Sequence, residues 1–178
     1  MILGFDYDMV TSDTMESWLS MYNKDFNDTL TVNQITSWGI QDFVKPEARD
    51  AILEYVNHPE VFENSKPIDG AAKGIQYLKS KGHDIIFVSV NNAENVKEKW
   101  LKKYGLIEND NQLFVTENKK EITCDFLVDD KPDNLFDIDG IGILFTQPHN
   151  KHIDWFPRAN NWQEVIGIIE GWSEPCTL

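Results

Sequence analysis

Two short apolar runs in this chain end abruptly in carboxylates. Ile2 to Phe5 runs into Asp6-Tyr7-Asp8, and Phe126-Leu127-Val128 runs into Asp129-Asp130. Similar runs occur at Ile85-Ile86-Phe87-Val88, which ends at Ser89, at Gln112 to Val115 and at Ile141 to Phe145. They are continuous rather than alternating, which is the pattern of strands covered on both faces. Stretches of helical spacing separate them. Ala72, Ile75 and Leu78 are closed by Gly82, and Val96, Trp100, Leu101 and Tyr104 are capped by Asn92 and closed by Gly105. Trp162, Val165, Ile166 and Ile169 form a third stripe. Strand and helix in this alternation predict an α/β fold, a parallel sheet with helices on both faces.

The first connection breaks that rhythm. A strand-to-helix connection usually takes about 2–6 residues, yet the first sheet-packing helix after Phe5 begins near residue 70. The intervening segment has helical signals of its own. Met15, Trp18, Leu19 and Tyr22 share a helical face, and Thr31-x-x-Gln34 resembles a capping box. Pro46 can start a helix that Ala48, Ile52 and Val56 continue. These signals predict a small helical cap over residues 11–67, inserted into a core made of residues 1–10 and 68–178.

Composition narrows the functions open to such a fold. With 16 Lys and Arg against 30 Asp and Glu, the formal charge is −14. That charge repels duplex nucleic acid and anionic membrane surfaces. An anionic substrate must then be met by local positive charge, a helix N-terminus or a metal. Cys124 and Cys176 are too few and too far apart for a disulfide framework, so a reducing compartment is expected. No stretch approaches the ~20 apolar residues of a membrane span, and the first residues lack the pattern of a signal peptide. The expectation is a cytoplasmic protein with a small-molecule partner; a homodimer stays open.

Open parallel sheets place their sites at strand carboxyl ends. Those ends bring Asp6, Asp8, Ser89, Asp129 and Asp130 together, with Lys119 and Lys120 shortly before the fourth strand. Four ionised carboxylates and one lysine sum to −3, which is costly unless a cation sits among them. Oxygen donors favour Mg²⁺, which brings the sum to −1, or to zero if one Asp holds a proton. Such a site can take a phosphate group, with one Asp as nucleophile and its neighbour two residues on as general acid.

The ordered set Asp-x-Asp, Ser, Lys, Asp-Asp resembles the haloacid dehalogenase (HAD) superfamily, and more narrowly its 5′(3′)-deoxyribonucleotidase family. The family's first motif, usually Asp-x-Asp-Gly-Val-x-x-Asp, is matched by Asp6-Tyr7-Asp8-Met9-Val10-Thr11-Ser12-Asp13. Pro67-Ile68-Asp69-Gly70-Ala71 matches its Pro-x-x-Gly-Ala, and Lys119 stands ten residues before Asp129, as the motif lysine does. Asp129-Asp130-Lys131-Pro132-Asp133-Asn134 is similar to its fourth motif. Pro148-His149-Asn150, Arg158, Asn161-Trp162 and Glu164 resemble its C-terminal segment. The likeness is dense outside residues 14–60. It departs at Met9, where the usual Gly would allow a positive φ.

The resemblance implies a three-layer Rossmann-like core and a Mg²⁺-dependent phosphohydrolase of (deoxy)ribonucleoside monophosphates working through an aspartyl-phosphate. It implies Asp6 as nucleophile and metal ligand, and Asp8 as general acid that offers a backbone carbonyl to the metal. Ser89 and Lys119 become phosphate ligands, and Asp129 and Asp130 metal ligands. Another phosphomonoester substrate, or a non-catalytic phosphate-binding module, stays open. Trp38 and Phe43 are either cap core or a stacking surface for a base. Spacing favours Lys119 over Lys120. The Asp-rich tract from Asp133 to Asp139 is expected to be a solvated face. His58, His83, His149 and His152 have no zinc-ligand spacing and are expected at the surface.

Overall fold

Every long strand carries apolar side chains on both faces, and this decides the architecture. In the computed structural model, which describes residues 1–56, 58–90 and 93–173, six parallel strands form one sheet. They are β1 (Ile2–Asp6), β2 (Asp84–Ser89), β3 (Leu113–Val115), β4 (Phe126–Asp129), β5 (Ile141–Phe145) and β6 (Arg158–Ala159), in the order β3-β2-β1-β4-β5-β6. Alternate residues divide between two apolar clusters. Leu3, Phe5, Ile85, Phe87, Phe126, Val128, Ile143 and Phe145 point into the larger one. Ile86, Val88, Leu127 and Leu144 belong to the smaller one opposite.

The larger cluster is closed by α4 (Ala71–Ser80), α5 (Glu94–Lys103) and α6 (Trp162–Ser173), through Ile75, Leu78, Trp100, Leu101, Trp162, Val165 and Ile169. Gly82, with φ +85°, follows the end of α4 as its spacing predicts. The helices expected on both faces are thus gathered on one. On the opposite face, Ile122, Leu135, Ile138, Ile153 and Trp155 come from turns and loops. The reason is connection length. Residues 130–140 and 146–157 join β4 to β5 and β5 to β6, 11 and 12 residues, no more than the dozen that a parallel crossover needs.

Between β1 and α4 the chain forms α1 (Thr14–Phe26), α2 (Ile52–Val56) and α3 (Pro59–Asn64), with single 3₁₀ turns between α1 and α2. Trp18, Leu19, Tyr22, Ile35, Val44, Ala48, Ile52 and Val61 build a separate apolar cluster here. The segment's two ends are clasped. Asp13 N–H donates to Lys66 O, Ile68 N–H donates to Thr11 O, and the Ser12 and Ser65 hydroxyls lie 2.6 Å apart. The expected Pro46 helix is broken: Pro46–Ala48 is a 3₁₀ turn and α2 begins afresh at Ile52. Thr31 and Gln34 do bond as a box, with Gln34 Oε1 accepting from the Thr31 N–H, but they close only one 3₁₀ turn. The two-residue β6 was too short to give a pattern. Asn92, expected to cap α5, and Cys176 lie outside the described residues.

The parallel register aligns the strand ends. Phe5 pairs with Phe87 on one side and Val128 on the other, so Asp6, Ser89 and Asp129 emerge along one edge. Gly70 shows why the connection into α4 is specific. Its φ is +81°, and a Cβ there would meet Trp162 Cβ at 3.0 Å.

Met9 has the positive φ, 60°, that the glycine usual in the motif it resembles would supply without strain. The left-handed conformation costs a non-glycine residue about 1–2 kcal/mol. Against that, the Met9 side chain is buried and its Sδ accepts from the Met15 N–H at 3.3 Å. Truncating a buried Met costs about 2–5 kcal/mol, and glycine adds about 0.5–1 kcal/mol of unfolded-state entropy. Met9→Gly is therefore expected to destabilise the protein by about 2–3 kcal/mol, the middle of a range of about 0.5–5, in denaturant unfolding. A stabilised variant would mean that backbone strain outweighs packing at this turn.

Candidate active site

The site begins where β1 runs out. Asp6, its last residue, is buried, and its backbone carbonyl accepts from the Thr11 hydroxyl at 2.7 Å, which folds the following turn back on the strand. Asp129 closes β4 beside it and is fully buried. Lys119 reaches between them from a 3₁₀ turn, with Nζ 2.8 Å from Asp6 Oδ1 and 2.7 Å from Asp129 Oδ2. The other Asp129 bonds come from the turn beyond β4: Lys131 N–H at 2.8 Å and Asn134 Nδ2 at 3.1 Å. Lys120 points away, exposed and paired with Asp137 at the surface, where Asp133 and Asp139 are also exposed, as expected of that tract.

Asp130 is buried beside His149, whose Nε2 lies 2.9 Å from Asp130 Oδ2. One oxygen from each of Asp6, Asp129 and Asp130 lies within 4.8 Å of the others, so the three can share one cation. The donors are all hard oxygens, which suits Mg²⁺ or another divalent ion of that kind. The electrostatics point the same way. Burial, then repulsion from Asp129, pushes the Asp6 carboxyl well above the usual carboxylate range despite Lys119. Burial also raises Asp130, against the lowering effect of His149. Burial disfavours the Lys119 charge, but Asp6 and Asp129 outweigh it and hold the ammonium above the usual lysine range. One lysine shared among crowded carboxylates leaves this pocket short of positive charge.

Asp8 stands on the other side of Asp6. Its Oδ2 accepts from Lys97 Nζ at 2.6 Å and from Ser89 Oγ at 3.2 Å, and Lys97 Nζ also donates to Ser89 Oγ at 2.5 Å. Ser89 is thus fully buried behind Asp8. Lys97 has no exposed surface and lies against the Tyr7 and Phe62 rings, and burial draws its ammonium below the usual lysine range. Sequence reasoning missed this residue. The signal was present: Lys97 precedes Trp100, Leu101 and Tyr104 by three, four and seven residues, so a cation sits on the apolar stripe of α5.

A cavity of about 400 Å³ opens above these groups. Asp6, Asp8, Lys119 and Asp130 are in its polar part, while Met9, Met15, Trp18, Ile40, Val61 and Phe62 give it apolar walls. Trp38 is half-exposed at its rim, with its ring 4.2 Å from the His149 ring and Lys131 Nζ 5.7 Å from its centroid. Phe43 is turned elsewhere: it packs on the cluster of Trp18 and Tyr22, and the cavity wall does not include it. His149 is buried, contrary to the surface position expected of it. Asn150 and Arg158 brace its loop. Asn150 Nδ2 donates to Asp130 O and Phe145 O, and the Arg158 guanidinium donates to Asn150 Oδ1 and Ile153 O.

The sheet order and the insertion after β1 are the fold of haloacid dehalogenase-like proteins. A haloacid dehalogenase-like protein from Agrobacterium tumefaciens superposes with a TM-score of 0.65 at 13% identity, over 97% of this chain and 99% of its own. Residues 1–172 match the model of the family described as 5′ nucleotidase, deoxy (pyrimidine), cytosolic type C protein, and the chain belongs to that family of phosphoric monoester hydrolases. It is 32% identical over 171 residues to the 5′(3′)-deoxyribonucleotidase of Clostridium acetobutylicum, covering 94% of each chain. The 5′(3′)-deoxyribonucleotidase of Bacillus subtilis is 25% identical over 167 residues, covering 92% of this chain and 95% of that one.

The two neighbouring lysines separate cleanly. Lys119→Met leaves Asp6 and Asp129 facing each other without their cation, and breaking a buried pair costs about 3–5 kcal/mol. Lys120→Met removes an exposed charge and is expected to stay within about 0.5 kcal/mol. Urea unfolding of both variants in chelator makes the comparison; equal losses would place the loop one residue out of register.

Proposed function

We propose that this protein is a Mg²⁺-dependent phosphohydrolase of (deoxy)ribonucleoside monophosphates, acting in the cytoplasm through an aspartyl-phosphate on Asp6. The observation that carries the reading is Asp6 itself, a carboxylate held by Lys119 beside Asp129 and Asp130 in the polar part of an apolar-walled cavity. Asp6, Asp129 and Asp130 would hold the metal, with the Asp8 backbone carbonyl as a further ligand. Bound there, Mg²⁺ supplies the positive charge that lets an anionic phosphate approach an ionised Asp6.

The chain's own residues do the rest. An Asp6 carboxylate oxygen attacks phosphorus as the bond to the sugar oxygen breaks, and Asp8 gives that oxygen a proton. Water then attacks the aspartyl-phosphate and loses a proton to Asp8, which frees phosphate and restores Asp6. Lys119 offers donors to the phosphoryl oxygens, where charge accumulates, while Ser89, fully buried with its hydroxyl donated to Asp8, supports the acid rather than the phosphate. Residues 11–67 act as a cap over the core of residues 1–10 and 68–178, and Trp38 meets the base. The names of the relatives support the nucleotide as substrate.

Deoxynucleoside monophosphates, ribonucleotides and sugar phosphates, each assayed with Mg²⁺ and with chelator, test the reading. Turnover is expected for nucleotides, to vanish in chelator and to return with Mg²⁺. Asp6→Asn is expected to abolish it while remaining folded; an Asp6→Asn protein with most of its kcat would exclude the covalent route. A preference for sugar phosphates would move the substrate assignment.

Trp38 tests the base contact. An aromatic stacked on a base is worth ~1–3 kcal/mol, so Trp38→Ala is expected to lower kcat/KM for a nucleotide by about 5- to 150-fold. Hydrolysis of p-nitrophenyl phosphate should hardly change. Equal losses on both would show that Trp38 acts through His149 and Asp130 rather than on the base.

A further inference from the structure

Lys97 is the group that the proposed chemistry leaves unused. It is a fully buried cation on the apolar stripe of α5, and it does not line the cavity, so it does not meet substrate. Its ammonium donates to both Asp8 Oδ2 and Ser89 Oγ, at 2.6 and 2.5 Å. The Tyr7 and Phe62 rings hold it from the sides, with centroids 4.6 and 4.7 Å away. Tyr7 comes from the turn after β1, and Phe62 from α3, so the ammonium is fixed by both the core and the inserted segment. Asp8 has 30% of its side chain exposed and faces the cavity. Without Lys97, the described contacts leave Asp8 Oδ2 only the 3.2 Å bond from Ser89.

We infer that Lys97 is a positioning residue that fixes the Asp8 carboxylate, and with it Ser89, in the orientation from which Asp8 transfers a proton to the leaving sugar oxygen. This rests on the phosphohydrolase reading above. It has a signature that a merely structural role lacks. An alkoxide is a poor leaving group and depends on a well-placed acid, whereas p-nitrophenolate leaves without one. Because kcat/KM reports only steps through the first irreversible one, it isolates transfer to Asp6 from the later hydrolysis. A misplacement of about 1 Å costs about 100-fold.

The experiment measures kcat/KM of wild type and Lys97→Met on a deoxynucleoside monophosphate and on p-nitrophenyl phosphate, with Mg²⁺. Methionine keeps the unbranched chain between the two rings, and Asp8, 30% exposed, keeps contact with solvent, so the protein should stay folded with a lowered melting temperature. The expected result is a loss of about 100-fold on the nucleotide with less than about threefold on p-nitrophenyl phosphate. In an Asp8→Asn background the same substitution should cost nothing further on the nucleotide. Equal losses on both substrates, or full additivity with Asp8→Asn, overturn the assignment. Lys97→Gln, which keeps one donor, is the second variant; unfolding of both makes the charge structural and also overturns it. A wild type that turns over neither substrate would sink the functional reading itself, and this inference with it.

Discussion

The ion pairs of Lys119 hold the site together. Two carboxylates from neighbouring parallel strands end up side by side and out of water, an arrangement that repels itself unless a cation is present. Lys119 supplies that cation at under 3 Å to each. A buried pair of this kind is weak as a source of net stability, because desolvation consumes most of the Coulombic gain. Its value is positional. It fixes the 3₁₀ turn before β4 against the end of β1, and so fixes which carboxylate edges face the cavity.

The sheet register makes that pairing possible, and the clasp at residues 11–13 and 66–68 decides what sits above it. An insertion joined by one flexible strand could adopt many positions. Here both of its ends are tied by backbone hydrogen bonds, and α3 packs on α5 through the bond from Trp100 Nε1 to Ser65 O. Val61 and Phe62 are adjacent on α3, yet one belongs to the insertion's cluster and the other to the core's. The inserted segment is therefore seated on the core by apolar packing, and the cavity between them has walls from both.

Much of this was legible in the sequence, for identifiable reasons. Asp6, Ser89 and Asp129 were findable because each ends an apolar run, and parallel strands end together. Lys119 was separable from Lys120 by the ten residues that set it before Asp129, the spacing of the motif it resembles. The insertion showed itself as a connection far too long. What stayed hidden depended on three-dimensional closure. Phe43 and Trp38 are five residues apart in one loop, and nothing local says that the first packs inward while the second reaches the cavity rim. His149 has no neighbour in sequence to mark it as Asp130's partner. The helix-free second face of the sheet follows from connections of a dozen residues or fewer, too short to show in local periodicity what a helical crossover needs.

Lys97 changes the charge balance of the site as well as its geometry. From the sequence, four carboxylates against Lys119 leave −3, and a divalent cation brings that only to −1. With Lys97 bonded to Asp8 as a second buried lysine, the same four carboxylates leave −2. One divalent cation then brings the sum to zero with no carboxyl group holding a proton. Such a balance matters in a chain of formal charge −14, whose overall field repels an anion. The approach of an anion is governed by what lies within a Debye length, roughly 8–10 Å, and there the two lysines, with a divalent cation where one is bound, would offset the carboxylates. The two lysines differ in position: Lys119 lines the cavity and pairs with Asp6 and Asp129, while Lys97 lies outside the cavity wall and pairs with Asp8.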